Sequence, residues 1–327
     1  MRIREFKNGF QPFLILILIM TAGCATSVRI RTIDSVSLKN GTQHFPVPIE
    51  SPEKSYRLGE RLSYNVRYMG INVGEVVAHV KGITSLNDRE VYQIELRART
   101  NKFFSPIFRV DDVIRTYVDT EQMYPLRFEK KIREGLYRAE ETMDYDHINH
   151  TAIYSNGEVT KTMELAEGSQ DALSAMYHFR FQDISVGTPV VYNVNADEKN
   201  YRLEARVIRA GVVTLPRLGS FTAIMVEPRA EHNGDPVKKG KAWAWFSADT
   251  RRVPLLVKVK SFIGTVNVYL KGIEEVNSGV ADADQLEEAV LPEENAPPVW
   301  RTGLKKVGSG IGSTAKKLFR NPRRWTW

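Results

Sequence analysis

The stretch Arg61-Leu-Ser-Tyr-Asn-Val-Arg-Tyr-Met-Gly-Ile-Asn-Val-Gly-Glu-Val-Val-Ala-His-Val80 decides the fold class. Leu62, Tyr64, Val66 and Tyr68 alternate with Arg61, Ser63, Asn65 and Arg67. Successive side chains of an extended strand point to opposite faces, so this period of two predicts a strand with one wet face. Gly70-Ile71-Asn72 then turns the chain into its hairpin partner, 73–80.

Working outward, the same pattern recurs. Tyr92, Ile94, Leu96 and Ala98 share one face of 91–98, and Leu126, Phe128, Lys130 and Ile132 lead through Glu134-Gly135 to Tyr137, Ala139, Glu141, Met143 and Tyr145. Asn156-Gly157, between Ile153-Tyr154 and Val159, is a strong hairpin signal because both residues tolerate positive φ. Further strands are predicted at 189–194, 201–209, 221–226, 242–246, 255–260 and 265–270. One segment breaks the pattern. Leu173, Met176, Tyr177 and Arg180 have helical spacing and predict a short helix over 169–180, with Ser169 as N-cap and Asp171 at its positive end. About a dozen strands without alternating helices exclude a doubly wound α/β fold. The expectation is a mainly β protein: a large twisted antiparallel sheet or open barrel, with two half-barrels dividing near the one short helix as the alternative.

The flanks say where such a domain is held. Arg2, Arg4 and Lys7 precede an apolar run at 13–20 and then Thr21-Ala22-Gly23-Cys24. A basic start, a short apolar core and small residues make an export signal over 1–23. The small residues before cysteine resemble a bacterial lipobox, although Met20 replaces the usual leucine; the resemblance implies cleavage before Cys24 and acylation of its sulfur. Cys24 is the only cysteine in 327 residues, so the chain has neither an internal disulfide nor a multi-cysteine metal site. Ala25, rather than aspartate, follows it, which by resemblance to the enteric sorting rule implies the outer membrane, facing the periplasm.

Residues 24–55, with Pro46, Pro48 and Pro52, read as a lipidated N-terminus and tether ahead of a β-rich domain over 56–278. An acidic, Pro-containing linker follows at 279–299, then a basic aromatic tail at 300–327. In that tail Trp300, Lys305, Lys306, Lys316, Lys317, Arg320, Arg323, Arg324, Trp325 and Trp327 are candidate contacts to membrane or anionic polymer. Cations attract anionic headgroups, and tryptophan favours the interface.

Four stretches carry a family resemblance: Leu58-Gly-Glu-Arg-Leu-Ser-Tyr64 running to Gly74, Asp171-Ala-Leu-Ser174 leading to Tyr177 and Arg180, Gly219-Ser-Phe-Thr-Ala-Ile224, and Trp245-Phe-Ser-Ala-Asp-Thr-Arg-Arg-Val-Pro254. In this order, across roughly 56–272, they resemble the bacterial domain of unknown function 3108. The resemblance implies an exported β-rich domain of unassigned activity and offers no catalytic residues. Read from their chemistry, these residues are mostly structural, with Asp249-Thr-Arg-Arg252 a turn whose aspartate bonds nearby amides.

The sequence offers no catalytic set, no metal site and no cofactor site. Asp146-His147-Ile-Asn-His150 is expected on an exposed turn, and Asp111-Asp112 point to opposite faces of a strand, so they form no pair unaided. No Gly-x-Ser-x-Gly elbow is present; Ser313-Thr-Ala-Lys316 and Gly308-Ser-Gly-Ile-Gly312 lack the surrounding motifs that would give them meaning. Nucleic acid is not an expected partner of an exported chain. The sequence points to a non-catalytic envelope lipoprotein that binds an apolar ligand or a partner protein. An enzyme acting on a cell-envelope glycan or lipid, or a structural tether working through the basic tail, are the alternatives.

Overall fold

The structure is a computed structural model and describes residues 28–32, 38–39, 42–43, 49–184, 189–237, 240–261 and 264–275. Cys24, the linker beyond 276 and the tail from Trp300 to Trp327 lie outside the described residues. In chain order the strands are β1 (Arg29–Thr32), β2 (Leu38–Lys39), β3 (Thr42–Gln43), β4 (Arg61–Tyr68), β5 (Ile71–Leu86), β6 (Arg89–Thr100), β7 (Asp111–Asp119), β8 (Pro125–Glu134), β9 (Tyr137–Asp146), β10 (Thr151–Ser155) and β11 (Thr160–Glu164). After the helix α1 (Ser174–Arg180) come β12 (Val190–Ala196), β13 (Lys199–Leu215), β14 (Gly219–His232), β15 (Asp235–Pro236), β16 (Lys241–Ser247), β17 (Pro254–Ser261) and β18 (Gly264–Glu274).

Sixteen of these strands form one antiparallel sheet, in the order β1-β13-β14-β16-β17-β18-β4-β5-β6-β7-β8-β9-β10-β11, with β12 beside β13 and β15 beside β14. The sheet is therefore a single open one, as the alternation predicts, and the alternative of two half-barrels does not occur. Its seam is β18 against β4, where Glu274 lies opposite Arg61 and Val266 opposite Tyr68. The alternation read in 61–68 is realised there, with Leu62, Tyr64 and Val66 buried. At Gly74 the sheet admits no side chain, because a Cβ would stand 2.2 Å from the Arg99 carbonyl oxygen.

The sheet curls round its helix. Leu173 and Tyr177 pack with Val80, Ile94 and Val118 of β5–β7, while Phe179 packs with Val207, Ile224 and Phe246 of β13, β14 and β16. A seven-residue helix reaches both groups of strands only if the sheet wraps it. The two ends of the curl are joined by a parallel bridge between Gln170 and Val194. Their amides and carbonyls link there, Gln170 N–H to Asn193 O at 2.9 Å and Asn195 N–H to Gln170 O at 2.8 Å.

The helix differs from expectation at its start. Its N-terminal amides are held by Asp171, whose Oδ1 accepts from Leu173 N at 2.7 Å and Ser174 N at 2.8 Å. Ser169 instead donates its hydroxyl to Ala166 O. A carboxylate satisfies two orphan amides at the positive end of the helix, which a hydroxyl two residues earlier cannot reach. Five strands also lie where none was expected: β1, β2 and β3 within the tether, β7 between 111 and 119, and β15 at Asp235–Pro236. The end of the tether is docked as well, with Glu50 N–H bonded to Ala248 O and Glu53 N–H to Thr250 O.

Candidate functional site

Two places concentrate unusual chemistry. The first is buried at one end of the sheet, where three of the four motif stretches meet. Glu60 and Arg180, 120 residues apart, form a bidentate pair with both N···O distances 2.7 Å. They are only 1% and 4% exposed, so the charges are almost fully withdrawn from water. Arg180 also donates from Nε and Nη2 to the Arg251 carbonyl, each at 3.2 Å, and lies over the Tyr177 ring. Burial alone would pull its guanidinium down, but the hydrogen bonds and charge of Glu60 push it above its ordinary value. Next to this pair, Arg252 donates to the Gln182 and Glu50 carbonyls. Asp249 Oδ1 accepts from Ser247 Oγ and from the amides of Arg251 and Arg252, the turn expected from the sequence.

Asp171 belongs to the same interior. Besides capping the helix it accepts the Thr116 hydroxyl, and it is completely buried. Burial raises its carboxyl above the usual range, against the lowering effect of these donors. The Tyr64 and Tyr177 hydroxyls are buried too, and burial raises both phenols above the ordinary value. A neutral phenol is a poor base at neutral pH, and every carboxylate here is tied to a donor. The motif residues therefore hold α1 inside the sheet and leave no acid–base set free at this end.

The second place is the opposite end, where the β4–β5, β6–β7 and β8–β9 turns are bonded together. Asn101 N–H donates to Val73 O and its Nδ2 to Asn72 O, while Gly135 N–H donates to Arg109 O at 2.7 Å. A Cβ at Gly135, where φ is +54°, would meet the Phe108 ring at 3.0 Å, so the two turns are in direct contact. This rim carries large apolar side chains pointing to solvent: Met69 is 66% exposed, Phe103 75%, Ile107 63%, and Leu136 fully. Lys102, Arg109, Arg133 and Arg138 are exposed among them.

Beneath the rim lies a carboxyl pair. Glu134, pushed up to about 7 by burial and by the charge of Asp112, hydrogen-bonds to Asp112. Asp112 is 3% exposed, is itself raised by burial, and also accepts the Arg133 amide at 2.8 Å. Asp111, on the other face of β7, is paired with Arg97, Arg99 and Arg109. The strand thus separates Asp111 from Asp112 as expected, and Asp112 finds its partner on β8. The Asp146–His150 segment is a turn, with Asp146 Oδ1 accepting the amides of Ile148 and Asn149, and His147 bonded to Pro125 O. Among the described residues, no three His, Cys, Asp or Glu side chains gather as a metal site, and no helix is long and apolar enough to cross a membrane.

The model of the family described as "Protein of unknown function (DUF3108)" matches residues 63–271. Among curated proteins none matches the chain in sequence. Solved structures similar to it include a β-barrel-like protein of domain of unknown function DUF1849 from Brucella abortus, at 11% identity and a TM-score of 0.47, covering 68% of this chain and all of that one. A candidate lipoprotein from Parabacteroides distasonis matches at 10% identity and a TM-score of 0.31, over 68% of this chain and 97% of that one. A candidate exported protein with a YmcC-like fold from Bacteroides fragilis matches at 8% identity and a TM-score of 0.29, over 70% of this chain and all of that one.

Proposed function

We propose, from the premise that this chain belongs to the DUF3108 family, that it is a non-enzymatic binding module of the bacterial envelope. It is acylated at Cys24, sorted to the outer membrane and faces the periplasm. Its contact with a partner protein is made by the rim of Met69, Phe103, Ile107 and Leu136. The observation that carries this reading is those four side chains, exposed on three hairpin ends that are fastened to one another. Single exposed apolar residues need no explanation, whereas a contiguous group on a rigid rim marks an interaction site.

The interior supports a partner protein more than an enclosed apolar ligand, since Leu173, Tyr177 and Phe179 of the protein's own helix fill it. An enzyme acting on glycans by paired carboxylates would hold them about 5–10 Å apart. Asp112 and Glu134 are hydrogen-bonded instead, with Asp112 almost wholly buried.

Acylation consumes the thiol of Cys24, so Leu136→Cys adds the one free thiol in the protein. In opened cells its reaction with a bulky maleimide is expected to be slowed at least several-fold relative to the detergent-purified protein. Ile153→Cys, exposed in mid-strand, is expected to react equally in both. Equal reactivity of Leu136→Cys in the two settings would overturn the rim as a contact surface. For the anchor, Cys24→Ser should move the protein to the soluble fraction and abolish incorporation of labelled fatty acid; retention in the membrane without fatty acid would remove it.

A further inference from the structure

The chain enters and leaves the described sheet at the same end. β1 pairs with β13 with Arg29 opposite Thr214 and Thr32 opposite Gly211, so its start lies beside the β13–β14 turn. Val28 and Leu218, the latter in that turn, pack on one cluster with Leu62, Leu215 and Val253. β18 runs to Glu274 opposite Arg61, at the end of the sheet where Leu215 pairs with Gly219 and where the buried Glu60–Arg180 pair sits. Glu275, the last described residue, forms ion pairs there with Arg57 and Arg251.

The length of chain outside the described residues makes this decisive. Val28 lies four steps along the chain from Cys24, a reach of no more than about 14 Å. Along β4, from Arg61 beside that end to Tyr68 at the hairpin rim, the sheet extends about 25 Å, farther than that reach. A bilayer holding Cys24 therefore meets the end where β1 begins, and the hairpin rim stands away from it.

That near end carries positive charge with no partner among the described residues. Arg29 and Arg31 of β1 and Arg217 of the adjoining turn are all exposed, and none forms an ion pair with a carboxylate of the described residues. Arg217 lies three residues beyond Thr214, the register partner of Arg29. Ile30 and Leu58 are exposed at this end as well. Guanidinium forks suit phosphate oxygens, and a short acyl leash beside a cationic patch gives two membrane signals on one side of the protein.

We infer that the end of the sheet bearing Arg29, Arg31 and Arg217 faces an anionic bilayer, with the three guanidinium groups on lipid phosphates, and that this orientation holds the hairpin rim out toward its partner. The orientation rests on the acylation of Cys24 proposed above; the arginine contact does not. It is tested first without the acyl chains, using the Cys24→Ser chain and vesicles of phosphatidylglycerol in phosphatidylcholine. Replacing all three arginines by alanine is expected to weaken partitioning on the order of tenfold or more, since each cation near such a surface contributes roughly fivefold. Replacement by lysine should retain binding within about threefold, and partitioning onto pure phosphatidylcholine should not change. Unchanged binding of the alanine variant overturns the contact, as does binding to an anionic wall polymer but not to these vesicles.

Orientation is then read on the acylated protein in the same vesicles, with a fluorophore on Ser220→Cys or Leu136→Cys and a quencher on the lipid headgroups. Quenching at 220 with none at 136 is expected; equal quenching overturns the orientation. If Leu136→Cys proves unprotected in opened cells while these results hold, the partner-binding reading fails and the bilayer-facing end stands.

Discussion

The two ends of the sheet handle polar and apolar groups in opposite ways. At the motif end, charges are deep inside and matched: Glu60 with Arg180, Asp171 with Thr116 and two amides. At the hairpin end the mismatch runs outward, with Phe103, Ile107 and Leu136 in solvent above a carboxyl pair that stays together only by holding a proton. The difference separates stability from contact. Groups that cannot reach water unless the helix leaves must serve the fold, whereas groups kept in water against their chemistry are available to something else.

That contrast can be broken by substitution, and the largest effect belongs to the motif end. Glu60→Gln leaves Arg180 buried without its counter-charge and should destabilise by about 3–5 kcal/mol in urea unfolding, while Glu60→Leu with Arg180→Met should recover much of the loss. A single variant within 0.5 kcal/mol of the parent (roughly the range of surface substitutions) would show that the pair is not structural. Next in size is Asp171→Ala, which strips the helix of its cap and leaves the Thr116 hydroxyl buried and unmatched, for about 2–3 kcal/mol. Its signature is early loss of amide protection over 174–180 in hydrogen exchange; uniform protection loss across the sheet would argue against a local cap.

The hairpin end answers to pH instead. Because the folded-state pKa of Glu134 lies near 7, above that of an unfolded glutamate, the folded protein binds the extra proton between roughly pH 4.5 and 7. Stability should therefore decline as pH rises through that window. Glu134→Gln keeps a donor toward Asp112 and should flatten the decline, gaining about 1 kcal/mol at pH 8, a figure set low because the side chain is partly solvated. Parallel melting curves for parent and variant at pH 5.5 and 8 would refute it. Least of all should Leu136→Ser change stability, within about 0.5 kcal/mol, although it removes a rim side chain. A larger loss would mean that the rim is part of the core.

Much of this was legible in the sequence at short range and little of it at long range. The alternation from Leu62 to Tyr68 fixes a strand, and Asp249-Thr-Arg-Arg252 declares its turn, because both are decided by neighbours. The Asp171-x-x-Ser174 spacing marks the true cap locally, although a helical pattern counted from 169 points to Ser169 instead. Glu60 and Arg180 sit in two motifs noticed separately; no property of either says that it faces the other. Asp112 and Glu134 meet only through the register of β7 with β8, where Val113 lies opposite Lys131. The strand at 111–119 was missed because its polar residues, Asp111 to Thr116, are buried or paired by tertiary contacts that a local pattern cannot contain.

The seam between β18 and β4 also sets the order in which the molecule can assemble. It joins segments about two hundred residues apart, and the helix that depends on both flanks lies between them in the chain. Contacts of such separation form late, after the entropy of closing a long loop has been overcome. A nascent chain thus lacks its central ladder until residues near 270 are available, and its two flanks stay unjoined while the preceding strands emerge. On the export route proposed above, slow closure of that seam would be a kinetic advantage built into the connectivity.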